Sequence, residues 1–242
     1  YGIVWCQMQQ ENYAAALQNT GPLLKPGVSQ SLANEARLAA GICFRKLGQN
    51  KQAVESLQQF LQSQPTGPQL SSGRYELAMA LTALDRLAEA STQFEKILSE
   101  SPNYGQLDRV LYELAWNNRE SGDEPKALRY FAQLAERFPQ SELASEASYM
   151  LAQQQYEAEE YASAASTYQQ ILASTQDREL LEKARYKLGW SQFQQKDYRQ
   201  AAANFKQQAA DYPQGVLAVD ALFMQAECSF EQDDYASAFD AY

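Results

Sequence analysis

An alanine recurs every 37 residues along the whole chain. The members of this series are Ala16, Ala53, Ala90, Ala127, Ala164, Ala201 and Ala238. A proline follows the same interval at Pro65, Pro102, Pro139 and Pro213, with Gln176 at the one interruption. Two series in one register indicate a tandem array of a single structural unit, in which each copy contacts its neighbours and no single core exists.

The unit is numbered here so that its proline is position 32, which puts the alanine at position 20. The clearest copy has Leu188 at position 7, Gly189 at position 8 and Phe205 at position 24. This spacing of leucine, small residue, alanine, aromatic residue and proline resembles the tetratricopeptide repeat, a helix–turn–helix unit. The resemblance implies an all-α fold, a right-handed superhelical solenoid of antiparallel helix pairs. Two departures are the 37-residue length, against 34 in the family, and the absence of tryptophan at position 4.

The resemblance covers essentially the whole chain, and we predict a single solenoid over residues 1–242. Its units are a partial copy at 1–33, full copies at 34–70, 71–107, 108–144, 145–181 and 182–218, and a partial copy at 219–242. In this register the sequence begins and ends inside a helix, so we expect a fragment of a longer array.

Local residues refine this outline. Pro22 and Pro26 predict a short or kinked second helix in the first copy, because proline removes a helical hydrogen bond. Gly48 and Gly122 suit the left-handed residue that ends many helices. A leucine after each proline, at Leu70, Leu107, Leu143, Leu180 and Leu217, predicts that the first helix of each unit starts about one turn early.

The small residues at positions 8 and 20 predict that the first helix of a unit packs closely on its own second helix and on the next first helix. A larger side chain at either contact would hold the backbones apart. The three cysteines, Cys6, Cys43 and Cys228, all fall at position 10. We expect them to be small packed residues, since free cysteine is usually buried.

Composition excludes several function classes. The chain has no histidine, which removes serine and cysteine catalysis through histidine and the commonest metal ligand. No phosphate-binding or dinucleotide-binding glycine motif occurs, so we predict no enzyme, no cofactor and no metal site. The formal net charge of −10 argues against nucleic acid as a partner. No run of about 18 apolar residues occurs, which predicts no membrane span.

A ligand site is implied by the family resemblance. Positions 2, 5, 9, 12 and 13 of the first helix line the concave surface of tetratricopeptide arrays. In this chain those positions form an aromatic ladder with interspersed basic residues. The candidate peptide-binding residues are Tyr75, Tyr112, Trp116, Arg119, Tyr149, Tyr156, Tyr186, Trp190 and Phe193.

Two interpretations of the ladder remain open. The tyrosines at position 5 are also ordinary packing residues between neighbouring first helices, whereas Trp116, Trp190, Tyr156 and Phe193 vary between units, which favours a binding role. Aromatic and arginine side chains are the usual anchors of protein interfaces. The chaperone-tail-binding members of the family use a lysine, asparagine and arginine clamp. The asparagine of that clamp stands at position 9, which is never asparagine in this chain, and Asn117 and Asn118 fall at positions 10 and 11 instead. We therefore do not expect this chain to bind a chaperone C-terminal carboxylate.

The predicted function is a non-enzymatic scaffold that binds a protein or peptide segment in its concave groove. The alternative is a structural module that self-associates, because Ile3 and Trp5 on one terminal helix, and Phe239 and Tyr242 on the other, resemble no polar cap. The stretches 139–152 and 213–226 resemble repeats of bacterial envelope proteins, namely the outer-membrane assembly lipoprotein and the periplasmic Tol–Pal-associated repeat protein. That style favours the periplasm, with the cytoplasm as the alternative.

Overall fold

The computed structural model describes residues 1–241, and these form helices joined by short turns. Within that range there are fourteen α-helices, with a 3₁₀ turn at Gly21–Leu24 after the second. They are α1 (Gly2–Gln9), α2 (Tyr13–Thr20), α3 (Gln30–Lys46), α4 (Asn50–Gln62), α5 (Pro68–Thr82), α6 (Leu87–Glu100), α7 (Leu107–Glu120), α8 (Glu124–Arg137), α9 (Ala144–Glu157), α10 (Tyr161–Ser174), α11 (Arg178–Gln194), α12 (Tyr198–Asp211), α13 (Ala218–Phe230) and α14 (Tyr235–Ala241).

The chain divides into two compact units, Tyr1–Tyr130 and Phe131–Tyr242, with the boundary inside α8. In the first unit, α1 to α7 pack each against the next helix along the chain, and in the second unit α9 to α14 do the same. The all-α array of helix pairs is therefore confirmed. A single solenoid running through both units stays a prediction.

The second helix of every pair starts at the same point of the 37-residue repeat. These helices begin at Tyr13, Asn50, Leu87, Glu124, Tyr161, Tyr198 and Tyr235, each 37 residues after the last. The first helices end within one residue of a common position in the repeat but begin at different ones. Helix α3 begins at residue 30, four residues before its unit starts, whereas α13 begins at residue 218, one residue before its unit starts. The turn inside each pair is thus the constant part of the unit, and the link between pairs is the variable part.

One backbone conformation fixes the constant turn. The residue at position 15 has a positive φ in every copy: Glu11, Gly48, Asp85, Gly122, Glu159, Lys196 and Asp233. The next amide donates to the carbonyl five residues earlier, as in Asp197 N–H to Gln192 O at 2.9 Å, which is the helix-ending pattern of a Schellman motif. The Asp197 carboxylate then accepts from the Gln200 amide and caps α12. The left-handed glycines predicted at 48 and 122 are confirmed.

The links between pairs agree only partly with prediction. The second helix of the first copy is short, as Pro22 and Pro26 predict, and runs into the 3₁₀ turn. The early start of the first helix is confirmed for α5 and α11, which include Leu70 and Leu180. It is wrong for α9 and α13. There the turns after Pro139 and Pro213 leave Leu143 and Leu217 as residues preceding the helix.

Small residues bring the two helices of a pair together. Every described member of the position 20 alanine series is buried. A Cβ atom on Gly41 would lie 2.4 Å from Leu57 Cγ, and one on Gly189 would lie 2.8 Å from Phe205 Cε1. Position 8 therefore contacts position 24 of the same pair, a contact that was not predicted from the sequence, and the predicted close approach of the two helices is confirmed for these pairs. Tyr242, the position 24 residue of the last copy, lies outside the described residues.

The cysteines do not all pack. Cys43 and Cys228 are buried, but Cys6 is exposed, so the prediction for Cys6 is wrong. Cys43 packs against Val4, Met8 and Ala16 of the preceding helix pair. Cys6 is on α1, and the described residues place no earlier pair against that helix.

Ala201→Leu is expected to destabilise the second unit by about 1–3 kcal/mol, because the added atoms have no space between α11 and α12. Thermal unfolding followed by circular dichroism measures this. Ala203→Leu, on an exposed site of the same helix, is the control and should change little. A native-like melting curve for Ala201→Leu would show that position 20 does not set the helix spacing.

Lys196→Gly is expected to stabilise the chain by about 1 kcal/mol, since Lys196 has a φ of +62° and glycine adopts this conformation without strain. Denaturant titration gives the free energy of unfolding. Gln195→Gly, at an ordinary helical φ of −77°, should instead destabilise, and equal effects from both variants would contradict the argument.

Candidate functional site

A cavity of about 640 Å³ lies in the second unit, beside the first half of α11. Tyr149 of α9 and Tyr186 of α11 form its aromatic wall, and residues 214–217, the link between α12 and α13, form the opposite side. The remaining lining residues are Glu179, Glu182, Lys183 and Lys187. The cavity therefore joins two successive helix pairs and the link to a third.

The repeat positions the two tyrosines. Both stand at position 5, and each ring meets the position 24 ring of its own pair edge-on. The centroid distances are 5.6 Å for Tyr149 to Tyr168 and 5.7 Å for Tyr186 to Phe205. Tyr149 packs into the core with Ala184 and Leu188 of the next helix pair, and burial raises the pKa of its hydroxyl while Lys183 opposes the shift. Tyr149 thus both packs between neighbouring helices and lines the cavity.

The charged residues of the cavity have different surroundings. Glu179 pairs with Lys183 one turn along α11. Lys187 Nζ lies over the ring of Tyr156, 5.4 Å from its centroid. The Glu182 carboxylate accepts a hydrogen bond from Gln208 Nε2 at 3.4 Å. The cavity therefore combines aromatic surface with charged groups held in fixed places.

The other candidates in this unit line no part of the cavity. Trp190 packs edge-on against Phe193 at 5.8 Å and Phe205 at 6.2 Å, and the ring of Tyr156 meets Tyr161 at 5.3 Å. Trp190, Phe193 and Tyr156 are half-buried against their own pair. Their role in binding stays a prediction.

The candidates of the first unit form two groups. Trp116 meets Tyr112 edge-on at 6.1 Å, and the Arg119 guanidinium lies over the Trp116 ring at 5.4 Å. Tyr75 contacts Phe94 and Tyr104, and burial raises its pKa to about 12. This unit supplies a half-buried aromatic face, and the binding role of its four candidates also stays a prediction.

A cluster of charged groups lies beside that face. Arg45 pairs with Glu76 and so joins α3 to α5. Burial raises the pKa of the Glu113 carboxyl, and the nearby charge of Arg45 opposes the shift. The arginine is therefore engaged by groups of its own chain.

The two asparagines of α7 serve packing. Asn117 is buried and its Nδ2 donates to Thr82 Oγ1 at 2.9 Å. Asn118 is also buried, and its Nδ2 donates to the carbonyl of Leu114 at 2.6 Å. Both side-chain amides are buried and bonded within the chain, so neither is available as the asparagine of a carboxylate clamp. This agrees with the absence of asparagine at position 9.

Sequence reasoning missed part of the cavity, namely Glu179, Glu182, Lys187 and the link 214–217. A signal was present at position 27. That position is apolar and buried in the other full units, as in Phe60, Ile97 and Ile171, but is Gln208 here, also fully buried. A buried amide at an apolar position needs a hydrogen-bond partner. In the structure that partner is Glu182.

Two features are absent from residues 1–241. None of the helices there is both long enough and apolar enough to cross a bilayer. No group of three or more cysteine, aspartate or glutamate side chains in that range could hold a metal ion.

Two family models match the sequence. One, described as a tetratricopeptide repeat-like domain, covers residues 88–242, and another, described as a tetratricopeptide repeat, covers residues 35–67. The first match spans more than half of the chain. The chain belongs to the tetratricopeptide repeat family. Repeats of this family form scaffolds for protein–protein interaction, and that is the function class of this chain. A search of curated proteins gave no match.

Solved structures support the fold. The C-terminal part of a TPR repeat-containing protein from Cytophaga hutchinsonii superposes with a TM-score of 0.74 at 16% identity, covering 99% of this chain and 91% of that chain. PilF of Pseudomonas aeruginosa gives 0.57 at 15% identity, with 86% and 88% covered. YrrB, described as a TPR protein with an unusual peptide-binding site, gives 0.55 at 15% identity, with 70% and 81% covered.

Proposed function

We propose that this tetratricopeptide repeat protein binds an extended peptide segment of a partner protein, with the cavity beside α11 as the main contact. The observation that carries the proposal is the cavity itself. Its volume of about 640 Å³ lies in the range of about 300–1,000 Å³ typical of ligand sites. A cavity of this size accommodates one or two side chains of a bound segment.

The chemistry of the lining suits a peptide. Tyrosine rings offer apolar surface with a polar edge and lose little side-chain entropy on binding, so they are frequent anchors in protein interfaces. Val216 and Leu217 add apolar surface on the opposite side, and Val216 is 92% exposed. An exposed valine at the edge of an aromatic cavity is available for contact without any change of the fold.

Neighbouring proteins add limited support. YrrB has an unusual peptide-binding site on a fold of the same kind. At 15% identity this likeness extends to the fold and not to the residues. The proposal for this chain therefore depends on its own cavity.

Val216→Asn is expected to weaken peptide binding about tenfold, because a neutral polar amide replaces the apolar edge of the cavity. Peptides selected from a random-sequence display library on the immobilised protein serve as ligands, and fluorescence anisotropy gives each dissociation constant. Val219→Asn is the matched control. Val219 is 77% exposed and lies outside the cavity lining, so binding by this variant should match the parent. Failure to select any peptide, or equal loss in both variants, would contradict the proposal.

A second candidate function is assembly of the chain through its terminal helices. The exposed apolar residues there favour it: Ile3 and Trp5 on α1, Phe223 and Phe230 on α13, and Phe239 on α14. Uncovered apolar surface at the ends of a repeat array favours association. The repeat style resembling bacterial envelope proteins extends this candidate to a structural role in the envelope.

Sedimentation velocity over a wide range of protein concentration tests assembly. The parent is expected to shift toward larger species as concentration rises, and Phe239→Asp is expected to remain monomeric. Phe239 is 83% exposed, so this change should not disturb folding. A parent that stays monomeric at the highest concentration would exclude assembly by this chain.

A further inference from the structure

The cavity beside α11 is unusual in how its charged groups are satisfied. Its lining contains two lysines, Lys183 and Lys187, and two glutamates, Glu179 and Glu182, so the formal charges cancel. Three of these four charged groups interact with an opposite charge or an aromatic ring of the same chain, whereas Glu182 does not. That difference indicates which kind of ligand side chain the cavity accepts.

Both lysines are engaged by the chain itself. Lys183 pairs with Glu179 through its ammonium group. Lys187 Nζ lies over the ring of Tyr156, a favourable position for a cation because the ring face is electron-rich. Neither ammonium group therefore needs an anion from a ligand.

Glu182 is in the opposite situation. Across the described residues, no basic side chain forms an ion pair with its carboxylate. It accepts one hydrogen bond, from Gln208 Nε2. An ionised carboxylate has about four acceptor sites, so Glu182 retains capacity for a further donor.

The neighbours of Glu182 restrict the space around its carboxylate. A Cβ atom on residue 215 would lie 2.0 Å from Glu182 Oε1, so a larger residue at this point of the link would have to displace the carboxylate. Gln208, on the other side, is fully buried. A link glycine and a buried glutamine, the latter at a position that is apolar in the other units, thus contact the same carboxylate.

Packing alone gives no reason for this arrangement. Position 27 is filled by Phe60, Ile97, Leu134 or Ile171 in other units, and all four are buried. A buried amide costs free energy unless its polar atoms are bonded. In the described part of the chain, Gln208 Oε1 has no hydrogen-bond partner. A core selected for stability would carry an apolar residue here.

We infer that the cavity binds a positively charged side chain, arginine or lysine, of the partner segment. Glu182 is its counter-ion, and the rings of Tyr149 and Tyr186 contact its aliphatic and cationic parts. The inference rests on the proposed function, since it specifies the ligand of the same cavity. The formal net charge of −10 also attracts basic partners over longer distances.

The test uses library-selected peptides whose binding is weakened by Val216→Asn, a change that removes apolar contact and adds no charge. In each peptide, every arginine is replaced in turn by citrulline and every lysine by norleucine, which remove the charge at nearly constant size. One replacement in each peptide is expected to weaken binding about tenfold. The Glu182→Gln protein should bind the charged and neutral forms equally. The arginine and lysine arms show which cation the cavity prefers.

Two variants separate charge from position. Gly215→Ala keeps every charge but displaces the Glu182 carboxylate, so it should also abolish discrimination between the two peptide forms. Asp220→Asn removes an acid that does not line the cavity and should leave discrimination intact. Discrimination is the ratio of the affinities for the charged and the neutral form of one peptide. Both affinities are measured on the same protein preparation, so a change in the folded fraction does not affect their ratio.

The outcomes distinguish this inference from the proposed function. Peptides whose binding depends on Val216 but is unchanged when their arginines and lysines are replaced by neutral residues would overturn the inference. They would still support the cavity as a peptide-binding site. Selection of peptides anchored by aspartate or glutamate would do the same, and would assign recognition to the two lysines. Peptides that bind without regard to Val216, or no selected peptide at all, would overturn both.

Discussion

From the second copy onward, each helix pair depends on close approach of its two helices, which a small residue at position 8 and an alanine at position 20 permit. Gly189 under the ring of Phe205 shows how little space there is, since a single Cβ atom would overlap the ring. The left-handed residue at position 15 turns the chain at one constant point. Within the second unit, Tyr149 and Tyr186 both stand at position 5 and line one cavity.

The cavity arises where the repeat departs from its own pattern. Gln208 replaces an apolar core residue of the other units, and both Gln208 and the link residue Gly215 contact Glu182. A regular array would bury only apolar side chains at position 27. The features that distinguish this cavity thus come from residues that differ between units.

Much of the fold follows from sequence, since the spacing of alanine, leucine and proline predicts the helix pairs and their contacts. The starts of α9 and α13 were mispredicted, because the turns after Pro139 and Pro213 compete with helix extension and periodicity does not register such turns. The exposure of Cys6 was also mispredicted, because burial at position 10 depends on a neighbouring pair and not on residue type. Of the predicted site residues, Tyr149 and Tyr186 line the cavity, whereas Trp190 contacts the ring of Phe205 in its own pair.

The sequence by itself determined the family, the length of the unit and the residues that hold each helix pair together, because these depend on contacts repeated at a constant spacing. The tertiary structure decided which charges meet. Glu182, Gln208 and Gly215 lie up to 33 residues apart, and Lys187 lies over Tyr156 of another helix. Such pairings depend on side-chain direction and on the course of the links, which no periodic pattern specifies.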